Sequence, residues 1–348
     1  MKIVPFQPTI TRLDTDILII GGGAAGCAAA IEARELDPNA RIIILEKAQI
    51  ERSGCLASGI NAINAYITEN QTPESYLEYV KHDAHGLLRD DLVYSIALEL
   101  NQATARAESW GLPIMKEGGK PLQKGPRSIR IRGESIKPIH AKKVRNAQIT
   151  VLNRVTATNF ILNQGNVEGA YAFNLRNGQF YAIRAKGVII ATGGASGIYR
   201  TSNTGEIAHR MWYSPFNTGA GYAMGIRSGA DMTSFEMRFI PTRIKDSATP
   251  TGVLAQTFRM PQVNILGEQF LKERYSFNIK QRATTCQRLH CMFKELKEGR
   301  GPITFKMDHL SPEQLDDLKL TLLDMSPAFV LQWTANNIDD HPEGIEIG

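Results

Sequence analysis

The chain has 348 residues, 43% of them hydrophobic and 22% charged, and a formal net charge of +5. That length can bury enough core for two domains, and the composition is that of an ordinary globular protein. The small cationic excess comes without any dense Lys/Arg run interleaved with aromatics, so no nucleic-acid partner is expected. No apolar run approaches the ~18 residues that a membrane span needs, and a basic-then-apolar N-terminal signal is not seen, so no transmembrane segment is expected. Cys27, Cys55, Cys286 and Cys291 show no C-x-x-C spacing. Such sparse use fits a reducing compartment, with a cytoplasmic location as the default, and supplies neither a ferredoxin-type ligand set nor a metal site.

Residues 1–15 are a polar lead-in. Asp16-Ile17-Leu18-Ile19-Ile20 predicts a strand buried on both faces, and Gly21-Gly22-Gly23-Ala24-Ala25-Gly26 follows it as Gly-x-Gly-x-x-Gly. Gly21 permits the tight turn, Gly23 lets the backbone approach a pyrophosphate, and Gly26 lets the next helix pack close. Residues 24–36 read as that helix, its N-terminus open to a phosphate. A second strand, Arg41 to Leu45, ends at Glu46, twenty residues after Gly26, the spacing of a carboxylate that takes a ribose hydroxyl.

Residues 47–68 read as a loop passing a ligand, 72–110 as helical with a break at Gly86, and 114–137 as loop or hairpin. Short strands are predicted at 149–152, 156–162, 167–174, 179–184 and 187–190, with turns at Asn163-Gln164-Gly165 and Arg176-Asn177-Gly178. The last strand enters a second glycine junction, Ala191-Thr192-Gly193-Gly194. Residues 218–230 form a third junction followed by a helix, and 275–298 and 311–338 read as helices, with a domain boundary near 235.

These three junctions, with strand hairpins between them, resemble FAD-binding flavoproteins of the succinate dehydrogenase and fumarate reductase superfamily. Val263-Asn264-Ile265-Leu266-Gly267-Glu268-Gln269-Phe270 and Glu298-Gly299-Arg300-Gly301 with Met307-Asp308-His309-Leu310 resemble that superfamily's capping segment. A more specific resemblance is to the adenylylsulfate reductase alpha-subunit family. It is carried by Glu51-Arg52-Ser53-Gly54, Ala62-Ile63-Asn64-Ala65-Tyr66, Trp110-Gly111-Leu112-Pro113-Ile114, Gly133-Glu134-Ser135, Phe216-Asn217-Thr218-Gly219 and Arg238-Phe239-Ile240-Pro241 with Arg243-Ile244-Lys245-Asp246. Leu323-Asp324-Met325 and Trp333 with Asn337-Ile338-Asp339 extend it.

The resemblance implies an α/β fold: a Rossmann-like FAD-binding domain of the glutathione-reductase type over residues 1–235, with an inserted α+β capping domain over 236–348. The superfamily's return to the flavin domain and its helical domain are expected to lie outside this chain, leaving the flavin pocket incomplete. FAD contacts are implied for Gly21, Gly23, Ala24, Ala25, Gly26, Glu46 and Lys47, for Ser53, Gly54, Ser58 and Gly59, and for Thr156. They are implied also for Ala191, Thr192, Gly193 and Gly194, and for Asn217, Thr218 and Gly221. Ser53 stands where respiratory relatives carry the histidine that bonds the flavin, so FAD is expected to be held non-covalently.

The implied activity is two-electron reduction of adenylylsulfate to AMP and sulfite, with electrons from a separate ferredoxin-like iron–sulfur subunit. Dicarboxylate-reducing relatives use His-Pro-Thr-Gly; here the stretch is Ile240-Pro241-Thr242-Arg243. An aliphatic residue cannot hydrogen-bond a carboxylate, whereas the Arg243 fork suits a sulfate or phosphate oxygen pair. Asn64 and Trp212 match further substrate-site positions, with turn and core roles as their alternatives. Lys124 stands where the family places an acid and Gln256 where it places an apolar residue, which would alter the charge balance of the site. Arg300 matches the proton-delivering arginine of fumarate reductases, or is a turn residue. A fumarate reductase-like enzyme with another acceptor and a truncated, non-catalytic FAD-binding protein remain the alternatives.

Overall fold

The computed structural model describes residues 9–199, 213–235, 242–277, 283–338 and 344–348. In chain order its elements are β1 (Ile10–Ile20), α1 (Ala24–Leu36), β2 (Ile42–Glu46), β3 (Ala62–Ile63), α2 (Pro73–Asp83), α3 (Asp90–Ser109), β4 (Lys116–Glu117), β5 (Lys120–Pro121), β6 (Ile129–Arg130) and α4 (Ile136–Asn146). There follow β7 (Thr150–Asn153), β8 (Val155–Asn163), β9 (Asn166–Asn174), β10 (Phe180–Ile190), α5 (Ala220–Arg227), β11 (Gln262–Val263), α6 (Phe270–Glu273), α7 (Thr285–Lys297), β12 (Ile303–Phe305), α8 (Pro312–Leu323), α9 (Pro327–Ala335) and β13 (Ile345–Ile347). The chain divides into two compact units, and each is built from segments distant in sequence.

The first unit comprises residues up to 59 with 135–199 and 213–232. Its six-stranded sheet has the order β7-β2-β1-β10-β9-β8. β7, β2, β1 and β10 are mutually parallel, while β10, β9 and β8 form an antiparallel meander. Every residue of β2 is buried, as a run of three isoleucines and a leucine requires in a parallel sheet covered on both faces. Leu18, Ile20, Ile43, Leu45, Val155, Ala170, Ile183 and Met224 share one core.

The observed strands differ from the sequence expectation in two places. β1 begins at Ile10 rather than Asp16, because its register with β10 runs from Ile10↔Phe180 to Ile20↔Ile190. That partner also holds β10 together as one strand where two were expected. Gly187, which suggested the break, sits in register opposite Ile17. α4 was not expected. It is an amphipathic helix whose buried stripe is Ile136, Lys137, His140, Ala141 and Val144, and it packs on α1.

The second unit comprises 60–134 and the described residues from 233 onward. β11, β12 and β13 form an antiparallel sheet. It shares a core with α6 to α9 that includes Phe270, Met292, Phe305, Leu318, Leu322 and a fully buried Trp333. Phe329 meets Trp333 edge-on, with ring centroids 5.7 Å apart. The helical stretch read over 311–338 is two helices, α8 and α9, since Pro327 starts the second one at its first position. Thr284 and Ser311 each begin a helix through a reciprocal capping box.

Candidate functional site

In the first unit the C-terminal ends of β1 and β10 lie side by side, with Ala191 N donating to Ile20 O at 2.8 Å. Beyond that point both strands turn on glycines. Gly21 has φ +107°, and a Cβ there would fall 2.4 Å from the Ala191 carbonyl oxygen, so the turn admits no side chain. A Cβ at Gly26 would lie 1.9 Å from Gly21 O, which is how close α1 comes to the strand it follows.

Between them, Gly22 is held at both ends. Its N–H donates to Glu46 Oε2 at 2.8 Å. Its carbonyl accepts from Lys137 Nζ at 2.5 Å and from Ser53 Oγ and Cys27 Sγ at 3.4 Å each. Glu46 Oε1 meanwhile accepts the Ala48 N–H at 2.6 Å. Burial pushes the Cys27 thiol up, with the Lys137 ammonium pulling the other way. Burial, with the Lys137 charge acting in the same sense, pushes the His140 imidazole down.

These turns border a cavity of about 500 Å³. Of the sequence-predicted contacts, Gly21, Gly23, Ala24, Ala25, Glu46, Lys47, Gly54 and Thr156 line it. So do Ala191, Thr192, Gly193, Gly194, Asn217, Thr218 and Gly221. Four others stand back from it. Gly26 packs against Gly21, Ser53 turns its hydroxyl onto Gly22 O, Ser58 ends the short helical turn Cys55–Ser58, and Gly59 caps that turn. Glu46 does more than was read from its spacing, since both carboxylate oxygens hold backbone N–H groups of the loops around it.

The lining fits a dinucleotide. α1 has no side-chain cap, so its first-turn N–H groups are left for a ligand's anion. Thr156 Oγ1 is buried with no hydrogen-bond partner among the described residues, a polar atom awaiting a ligand. Lys47 ties the loop after β2 to the third junction through the Phe216 carbonyl. Thr192 lies against Gly221, where a Cβ would meet its hydroxyl at 2.0 Å. Sequence reasoning missed Cys55, Leu56, Tyr222 and Met224 in the lining, and Lys137 behind it. Met224 was readable as the residue one helical turn beyond Ala220.

The predicted substrate residues belong to the second unit, apart from Trp212, which with Ile240 and Pro241 lies outside the described residues. Arg243 is half-buried and exchanges backbone hydrogen bonds with Gly348. Asn64 is exposed, its Oδ1 accepting from Ser128 Oγ at 2.8 Å. Gln256 is exposed on the π-helical turn Val253–Thr257. Arg300 is engaged: its Nε and Nη2 each lie 2.7 Å from a carboxylate oxygen of the fully buried Glu295, and Nη2 also reaches Glu298. Asn264 and Tyr275 donate to the same carboxylate at 2.9 Å. The Arg300 pair, with those donors, holds Glu295 down at about 2.

Among the described residues no helix is long and apolar enough to cross a membrane. The FAD binding domain model matches residues 16–315. The adenylylsulfate reductase alpha subunit of Megalodesulfovibrio gigas is 32% identical over 98% of the chain and 59% of its own length. A fumarate reductase (CoM/CoB) polypeptide of Methanothermobacter marburgensis is 28% identical over 96% of the chain and 61% of its own length. Among solved structures, adenylylsulfate reductase from Archaeoglobus fulgidus superposes with a TM-score of 0.87 at 36% identity, covering 98% of this chain and 58% of that one. An E. coli quinol fumarate reductase, at 19% identity and a TM-score of 0.73 over 97% of this chain and 60% of that one, shares the fold. The chain thus spans about three-fifths of the length of the relatives it matches. An α/β sheet whose β1 and β10 end in glycine turns that share one cavity with the glycine turn before α5, and a family match that runs through it, place this chain in the FAD binding domain family.

Proposed function

We propose that the chain is the flavoprotein part of an adenylylsulfate reductase of the alpha-subunit type, taking two electrons to convert adenylylsulfate to AMP and sulfite. The observation that supports it most is the 32% identity sustained over 98% of the chain. FAD, when bound, supplies the two-electron carrier. The chain's own part is to receive the diphosphate on the loop from Gly21 to Gly26 and to orient the nucleotide with Glu46, Thr156 and the glycines after β10. Ser53 offers no ring nitrogen for a covalent bond, so the cofactor is held non-covalently. Arg243 and Asn64 orient the sulfate group, Arg243 by a two-point grip.

Electrons reach the protein from an iron–sulfur subunit, in the cytoplasm. A fumarate reductase-like activity is the second reading, favoured by the 28% identity to the Methanothermobacter protein. It needs Arg300 to move a proton, and Arg300 is bound to Glu295 and Glu298. We assign Arg300 a structural role. The test is to load the purified protein with FAD, reduce it with a dye, and add adenylylsulfate or fumarate in turn. Reoxidation by adenylylsulfate with release of sulfite is expected. Reoxidation by fumarate alone would overturn the assignment. Acid precipitation should leave all flavin in the supernatant.

A further inference from the structure

Lys137 is fully buried, on the inward stripe of α4 with Ala141 and Val144. An ammonium group without solvent is costly, and a hydrophobic residue of similar size would ordinarily serve a core as well or better. Lys137 does not point at a surface or at a partner carboxylate. Its Nζ donates to Gly22 O at 2.5 Å and approaches Cys27 Sγ at 3.5 Å. Gly22 O is the carbonyl of the peptide whose N–H belongs to Gly23, a residue lining the cavity. An ammonium on that carbonyl polarises the peptide and makes the Gly23 N–H a stronger donor. The same charge, buried and poorly screened, adds to the partial positive charge of the uncapped α1 N-terminus. Glu46 holds Gly22 by its N–H instead, with both carboxylate oxygens on backbone N–H groups. The glycine loop is therefore gripped from behind by one cation and one anion, with Gly22 between them.

We propose that Lys137 is a positioning residue for the diphosphate of the bound dinucleotide, acting through the Gly22 carbonyl and without touching the ligand. The assignment rests on FAD occupying this cavity, and it predicts selectivity for the charged portion of the ligand. The full chain is tested with ADP and adenosine as probes, by calorimetry, and with FAD by quenching of flavin fluorescence. Wild type prefers ADP over adenosine. Lys137→Met, which keeps the length and removes the charge, is expected to weaken ADP and FAD by about ten-fold while adenosine changes by less than about two-fold. Lys137→Arg, which keeps the charge, restores part of the preference. Where Lys137→Met does not fold, Lys137→Gln carries the same expectation. Equal losses for ADP and adenosine, or an ADP preference unchanged in the neutral variants, would overturn the role of Lys137. A wild-type chain that binds FAD but shows no ADP preference would overturn it as well. A wild-type chain that binds neither FAD nor ADP would instead remove the cofactor assignment of the cavity.

Discussion

Glu46 and Gly22, twenty-four residues apart, are joined by a buried hydrogen bond of 2.8 Å from the glycine N–H to the carboxylate. The acid at the end of the second strand thus shapes the glycine loop that it was expected only to accompany. In Glu46→Ala the N–H groups of Gly22 and Ala48 lose their acceptor. The Gly22 N–H is the buried one of the two, and stranding it costs about 1–3 kcal/mol, so both stability and FAD affinity should fall. Urea denaturation with and without FAD measures the two effects. An unchanged midpoint without ligand would show that the loop does not need this anchor.

Gly26→Ala should be among the most damaging single-methyl changes in the first unit. The added carbon would sit 1.9 Å from Gly21 O, a backbone atom that cannot rotate away. A cost of about 1–3 kcal/mol or more and loss of FAD retention on gel filtration are expected. Gly187→Ala is the control: nothing lies within 4 Å of its Cβ position, and stability should move by about 0.5 kcal/mol or less.

The Glu295 carboxylate gives the second unit a pH signature. Its folded value is lowered to about 2 from the usual 4.5. The stabilisation is therefore fully present above about pH 4.5 and is lost as pH falls from there through about 2. Glu295→Gln should flatten the fall in melting temperature over that acid range and lower it at neutral pH, as scanning calorimetry at a series of pH values would record. An identical acid slope in wild type and variant would rule the pair out as its source.

Arg243→Lys keeps a positive charge and gives up the planar fork. If the fork holds a sulfate oxygen pair, KM for adenylylsulfate rises about ten-fold while FAD content is unchanged. Steady-state kinetics on protein matched for flavin content separates this from a folding defect. A KM within about two-fold of wild type would remove Arg243 from substrate binding.

The parts of this fold that could be read in the sequence are those where local chemistry and tertiary context agree. Ile17 to Ile20 and Ile42 to Leu45 are apolar runs that suit a strand covered on both faces, and the glycines after Ile20 and after Ile190 mark turns that form the cavity wall. What escaped notice depended on partners far along the chain. The first strand extends back to Ile10 only because Phe180 and its neighbours lie beside it. Lys137 sits in a segment, Ile136-Lys137-Pro138-Ile139-His140-Ala141-Lys142-Lys143, whose many cations look like a solvated surface. Its spacing from Ala141 and Val144, four and seven residues on, was the available clue that this lysine shares their buried stripe. Arg300 shows the opposite case: a motif position suggested proton chemistry, and the residue's surroundings use its charge to hold Glu295.

The parallel pairing of Ile20 with Ile190 also sets the order in which the protein can be born. At a synthesis rate of about 5–20 residues per second, the first strand emerges about 10–30 s before the strand that must lie beside it. During that interval one long edge of an isoleucine-rich strand has no partner, and the turn that will cradle the cofactor has nothing to close against. Non-local closure of this kind is slow. The turn at Gly21 therefore reaches its final form, closed against Ala191, only once residues 180–190 have arrived.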